Sequence, residues 1–180
     1  MEGKHPERTT AAPNIIIPDP PPCTFRPVTP EDEPFIMELY SITLHRQMPL
    51  ESLGLPPEQL QTLIAYQYRA MMTHYNSNYP WADITIVVRN GVDVGRLIII
   101  EFDDEIRLGD LMILPEHQNN GICTYIMRQH VAKGIETNRK IRLHVEKANP
   151  AVRLYEREHF VIIEDLASHW LMEYRFSIDD

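Results

Sequence analysis

The sequence predicts a mixed α/β domain: one mostly antiparallel sheet of six to seven strands with about four helices spread over both of its faces. Three observations predict it. Two early segments carry apolar residues at helical spacing. Three β-branched runs follow, joined by short turn signals. A helical segment, a strand, a short helix and two further strands complete the chain, giving the order β-α-α-β-β-β-α-β-α-β-β.

The first element is a short strand at Thr24-Phe25-Arg26-Pro27-Val28. Thr29-Pro30-Glu31-Asp32 then reads as a helix start, with Thr29 as N-cap, Pro30 at the first helical position and acids in the first turn. Phe35, Ile36, Leu39, Ile42 and Leu44 form the apolar face of that helix. A second helix starts at Pro56-Pro57-Glu58, with Leu60, Leu63, Ile64, Met71, Met72 and Tyr75 near the 3.6 period, and stops near Asn76-Ser77-Asn78 before Pro80. Residues 83–89 are a β-branched run, Asn90-Gly91 is a hairpin signal, and residues 94–100 return as the next strand. Asp103-Asp104 turns into a third strand over residues 106–113, which makes an antiparallel meander. A helix covers residues 121–133. Lys140 to Glu146 alternates as a strand does. Asn149-Pro150 starts a short helix through Tyr155, and residues 160–163 and 170–176 are the last strands.

Composition bounds the organisation. The 180 residues fit one domain. With 43% hydrophobic and 24% charged residues the chain has ordinary globular composition. Eight of the 15 prolines fall in residues 1–30, including Pro18-Asp19-Pro20-Pro21-Pro22. Such a stretch feeds neither helix nor sheet, so residues 1–23 are expected to be a flexible arm before one domain over residues 24–180. The alternative is that Ile15–Ile17 docks on an edge strand or a neighbouring subunit. The charge of −9 disfavours a nucleic-acid surface, which needs basic side chains against phosphates. Two cysteines, Cys23 and Cys123, are too few for a disulfide framework, and the eight histidines are too scattered for a metal site. No apolar run approaches the ~20 residues that span a bilayer. A soluble, cytoplasmic protein without metal is expected.

The segment that carries chemistry runs from Leu111 to Thr124, where a buried strand passes through a polar turn into a helix. A helix start leaves backbone N–H groups unpaired and carries partial positive charge, and a glycine lets backbone approach an anion closely. A diphosphate could be held there by main-chain donors, which suits an acidic protein. The segment is neither a P-loop nor a dinucleotide fingerprint, because GK[ST] and GxGxxG are absent.

Gln118-Asn119-Asn120-Gly121-Ile122-Cys123 resembles the Q/R-x-x-G-x-G/A motif of the GCN5-related N-acetyltransferases (GNAT). Some thirty residues on, the stretch from Leu143 to Phe160, with Asn149-Pro150-Ala151 and Leu154-Tyr155, resembles that family's second signature. The resemblance covers Thr24 to about Phe176. It departs at Cys123, where the family has Gly or Ala, and at His159, where it has Gly.

The resemblance implies a GNAT-like fold with a splayed cofactor slot and a ternary complex of acyl-coenzyme A with an amine. Met112, Ile113 and Leu114 would pair with the pantetheine arm. Backbone from Asn119 through Asn120, Gly121, Ile122 and Cys123 to Thr124 would hold the pyrophosphate, with Gln118 opening the motif. Asn149 would bond the pantetheine arm, a role compatible with capping the helix after Pro150. Tyr155 would protonate the departing thiolate, since a phenol of pKa ≈ 10 is protonated near pH 7. An alkylammonium is only about one part in 10³ neutral at pH 7, so a carboxylate or a water held by one must take its proton. Asp110 is the candidate base. Its alternative is a strand-face carboxylate paired to Arg107 or Arg142, and Glu146 and His144 are the next candidates for base. Acceptor recognition in this family belongs largely to the first two helices. Here the second carries Gln67, Tyr68, His74 and Tyr75, whose alternative role is packing that helix on the sheet.

The expected function is transfer of acetyl from acetyl-coenzyme A to a primary amine of a small molecule, by direct attack. A protein lysine or N-terminal acetyltransferase is the first alternative, and a non-catalytic acyl-coenzyme A sensor the second. Expected partners are the amine alone, without nucleic acid or membrane, with a homodimer left open.

Overall fold

The computed structural model describes residues 15–47 and 50–175. Strand β1 (Thr24–Pro27) passes through a 3₁₀ turn (Pro30–Asp32) into helix α1 (Glu33–Gln47). The Thr29 amide donates to Asp32 Oδ2 at 2.8 Å, and its hydroxyl donates to the same oxygen at 3.2 Å. Arg26 clamps Asp32 and Asp93, each at 2.6 Å, and so ties the helix start to the sheet. Helix α2 (Pro57–Asn78) starts at its proline pair and ends before Pro80. Leu44, Leu50 and Ile64 form a small core between the two helices, with Tyr40 and Leu60 against it.

Strands β2 (Asp83–Arg89), β3 (Val92–Glu101) and β4 (Glu105–Ile113) form the expected meander. Asn90 and Gly91 take φ of 52° and 77°, the paired left-handed conformation of a two-residue hairpin turn. Helix α3 (Ile122–Glu136) crosses over to β5 (Lys140–Glu146), which lies parallel to β4. Helix α4 (Val152–Arg157), β6 (Phe160–Asp165) and β7 (His169–Tyr174) follow. The sheet order is β1-β2-β3-β4-β5-β7-β6, and among the described residues β4–β5 is the parallel pair. Phe176, expected at the end of the last strand, lies outside the described residues.

The sheet separates two packed layers. Leu97, Ile99, Ile106, Leu108, Ile141, Leu143 and Val145 form the main core with Ile126, Met127 and Val131 of α3. The opposite face carries α1 and α2. Arg96, Ile98 and Ile100 alternate onto that side of β3: Arg96 touches Tyr68 and Met72, and Ile98 and Ile100 sit with Tyr75 around Gly109.

Of the arm expected over residues 1–23, residues 1–14 lie outside the described residues. Within the remainder, Ile15 packs on the main core, Cys23 is 4% exposed, and Arg128 Nη1 donates to the Ile16 carbonyl at 3.1 Å. Proline excludes helix and strand from this stretch, but it does not exclude burial of the side chains between prolines. Among the described residues no helix is long and apolar enough to cross a membrane.

Two irregularities in β4 shape the site. Ile98 pairs with Asp110 while Ile99 pairs with Leu108, so Gly109 is an extra residue, a β-bulge. Strict alternation would place Asp110 on the α3 face with Ile106 and Leu108. The bulge resets the phase and turns Asp110 toward α1 and α2. Second, β4 and β5 pair only from Glu105–Lys140 to Leu108–Leu143. Beyond that point the strands part.

Candidate active site

Where the strands part, the β4 edge from Gly109 to Ile113 and the β5 edge from His144 to Glu146 no longer bond each other. Backbone N–H and C=O groups on an open edge are obligatory bonding groups, and an extended ligand with amides can satisfy them as a strand would. Met112 and Ile113 line this edge with their side chains buried, and Leu114 continues it, its amide donating to the Val94 carbonyl at 2.8 Å.

The slot runs into the turn before α3. Asn119 and Gly121 both have positive φ, 59° and 76°, on either side of Asn120. Alternating hand along a turn points successive N–H groups to one side, the geometry of an anion-binding concavity. Gly121 is the N-cap, no side chain caps the helix, and no acid lies in its first turn. The first helical bond is Tyr125 N to Gly121 O at 2.9 Å. The six amides from Asn119 through Asn120, Gly121, Ile122 and Cys123 to Thr124 find no acceptor in another described residue. A Cβ on Gly121 would meet nothing within 4 Å, so the space above the helix start is open. Asn120 Nδ2 folds back onto the carbonyls of His117 and Gln118, and Gln118 Nε2 donates to Ile113 O at 2.8 Å while its Oε1 accepts from Arg46. The Gln118 and Asn120 side chains brace the turn; the ligand-facing donors are main chain.

At the bulge, Asp110 pairs with Arg96, Nη2 to Oδ2 at 2.6 Å. Neither expected alternative partner takes it: Arg107 pairs with Glu105, and Arg142 bridges Glu105 and Glu173. Those arginines lie on the paired stretch of β4 and β5, where the strand partners Glu105 and Glu173 are nearer. The Asp110 side chain is 26% exposed and Arg96 is fully buried. The Tyr75 hydroxyl donates to the Gly109 carbonyl at 2.6 Å, so it braces the bulge. Burial, with the Asp110 charge adding, pushes the Tyr75 phenol up to about 12. Tyr40 and Tyr68 pack ring to ring at 5.5 Å, and the Arg96 guanidinium lies 5.8 Å from the Tyr68 ring centre.

Tyr155 stands on α4 with its ring against Phe160, centroids 6.1 Å apart, and its hydroxyl makes no hydrogen bond to a described residue. Burial raises its pKa above the ordinary tyrosine value, and the nearby Cys123 and Asp110 add to the rise. Those couplings place Tyr155 within electrostatic reach of both the helix start and the bulge. Cys123 itself is pushed up to about 11 by burial, so it remains a thiol at neutral pH.

Residues 80–162 match the family model described as an acetyltransferase (GNAT) domain. Over that stretch the chain is similar to the GCN5-related N-acetyltransferases, and its fold is GNAT-like. GNAT proteins of known structure share its fold. The PaiA N-acetyltransferase of Thermoplasma acidophilum, solved with coenzyme A, is similar at TM-score 0.62 and 16% identity, over 86% of this chain and 99% of that one. An acetyltransferase of Thermus thermophilus is similar at TM-score 0.58 and 20% identity, over 89% and 96%. A GNAT-family acetyltransferase of Listeria monocytogenes is similar at TM-score 0.54 and 17% identity, over 84% and 93%. At these identities the likeness establishes the fold. Among curated proteins, no sequence matches the chain.

Set in the GNAT frame, the first motif falls on the turn and the start of α3, and the second on β5 and α4. Asn149 Oδ1 accepts from the Ala151 amide at 2.9 Å, which organises the turn into α4 and leaves its Nδ2 without a described acceptor. Of the acceptor-side residues expected from the sequence, Gln67, Tyr68, His74 and Tyr75, it is Tyr75 that bonds the bulge. His74 is exposed and turns to Asn78 and Tyr79, part of an aromatic group with Trp81 and Phe102 at the paired end of the sheet. Gln67 is half-buried and makes no hydrogen bond to a described residue. The sequence reading missed Arg96 and Tyr40. The signal for Arg96 was present: a lone cation inside the apolar run from Val94 to Ile100. Among the described residues no group of three or more His, Cys, Asp or Glu is placed to hold a metal ion.

Proposed function

We propose that the chain is an acetyl-coenzyme A-dependent N-acetyltransferase that acylates the primary amine of a small molecule by direct transfer. The observation that carries this reading is the continuity of one groove. The open β4 edge from Gly109 to Ile113 leads into six unpaired amides at the start of α3, with Asp110 on the bulge and Tyr155 in electrostatic reach. The donor fits these groups. Main-chain N–H groups at a helix start suit a diphosphate and need no basic surface. An open strand edge suits the two amides of a pantetheine arm, and Asn149 Nδ2 is free to donate to it.

The donor supplies a thioester carbonyl activated toward nitrogen. Asp110, directly or through a water, takes a proton from the ammonium and leaves a neutral amine. A carbon–nitrogen bond then forms as the carbon–sulfur bond breaks, and the nitrogen sheds its second proton to solvent. Tyr155 donates a hydrogen bond to the sulfur as negative charge develops, and then its proton; solvent restores that proton and receives the one held by Asp110. Cys123 is kept as a thiol by burial, which favours direct transfer over an acyl-enzyme. The acid at the bulge, Glu146 on β5 and the tyrosines of α1 and α2 favour a small cationic acceptor.

The test incubates the protein with acetyl-coenzyme A and a panel of small amines, lysine peptides and peptides with free N-termini, following thiol release and product mass. Turnover on small amines supports the proposal. Turnover confined to peptides replaces it with a protein acetyltransferase. Coenzyme A binding without turnover replaces it with a sensor.

A further inference from the structure

Arg96 is the most deeply buried charge in the described chain, at 0% exposure. Its guanidinium has five donors, yet among the described residues one carboxylate oxygen is its one anionic partner. Nη1 meets the Met72 sulfur at 3.6 Å, Nε has no partner, and Tyr68 covers one face. Burying an ion pair this sparsely bonded does not favour stability; apolar side chains of similar volume are often neutral or better. The arrangement has a use where it stands. Asp110 sits on the bulge at the open end of the slot, 26% exposed, and Arg96 grips it from the neighbouring strand, beneath, through Oδ2.

We propose that Arg96 is a positioning residue: it holds the Asp110 carboxylate turned into the acceptor end of the slot. This rests on Asp110 acting as the base in the function proposed above. The other groups facing Asp110 do not duplicate that task. Tyr75 from α2, Tyr40 from α1 and Tyr155 from α4 are kept as neutral phenols by burial. Glu146 from β5 bears on Tyr40 with the same sign as Asp110, and Arg107 is engaged by Glu105.

The experiment compares wild type, Arg96→Met, Arg96→Lys, Asp110→Asn and the Arg96→Met/Asp110→Asn double variant. It records kcat and KM against pH with acetyl-coenzyme A and the best amine of the panel, and coenzyme A affinity by calorimetry. Arg96→Met should lower kcat about tenfold or more with KM for the amine little changed, because a carboxylate without its clamp is less often oriented toward the acceptor. Coenzyme A affinity should stay within about twofold, since the cradle is untouched. Arg96→Lys should restore part of the rate. On the Asp110→Asn background Arg96→Met should change nothing further. Full additivity of the two losses, or no rescue of the rate by Arg96→Lys, overturns the proposal. Failure of wild type to turn over any amine refutes the acyltransfer reading separately.

Discussion

Tyr155→Phe separates chemistry from packing at one atom. The ring rests on Phe160 and the main core, and phenylalanine keeps those contacts. The hydroxyl bonds no described residue, so its removal breaks no internal hydrogen bond. The melting temperature should therefore hardly move, with stability changing by less than about 1 kcal/mol. The rate should not be spared. Loss of a general acid slows turnover about 10²–10⁴-fold, which corresponds to about 2.7–5.4 kcal/mol of transition-state stabilisation. Coenzyme A affinity should stay nearly constant, because the hydroxyl acts mainly as charge grows on sulfur. Burial, then Cys123 and Asp110, hold this phenol above its ordinary value. The wild-type rate should therefore show no loss from phenol ionisation below about pH 10. The assay is thiol release across pH for both proteins, beside thermal melts and calorimetry. A Tyr155→Phe enzyme with full rate at every pH refutes the reasoning and leaves the residue as packing.

Gly121→Val places a β-branched side chain at φ 76°, which is strained, and in the open space where an anion would approach six amides; coenzyme A affinity should fall at least about tenfold, by calorimetry on a variant shown to be folded. Asp110→Asn should lower the rate near neutral pH and recover part of it as pH rises, because the free amine then needs no base; a rate deficit equal at all pH values would move the base elsewhere, with Glu146 next. A chain starting at Thr24 loses Cys23 and the Ile15 contact from the main core, along with the Arg128 bond to Ile16. Its unfolding free energy should fall by about 2 kcal/mol or more, and an unchanged melt would show that these contacts carry no weight.

The element order, the meander and both motif positions were legible because each is written in a short window. Helical spacing in residues 57–78, the β-branched runs of residues 83–113 and the Asn90-Gly91 turn are local patterns, and backbone geometry answers local patterns directly. The strand–turn–helix junction at Gly121 was legible for the same reason: a polar turn with one glycine leaves helix-start amides bare. The partners were not legible. Asp110 lay in an apolar strand near two plausible arginines, and the one it meets is Arg96, 14 residues back. Tyr75 reaches the Gly109 carbonyl across 34 residues, and Arg46 reaches Gln118 across 72. His74, one residue from Tyr75, faces away because adjacent helical positions point about 100° apart. The bulge at Gly109 decides which face Asp110 occupies, and a bulge is a property of the pairing between two strands. Side-chain periodicity determines what a segment becomes. Register and the packing of α1 and α2 over the sheet determine which groups meet, because those contacts form only after distant segments are brought together.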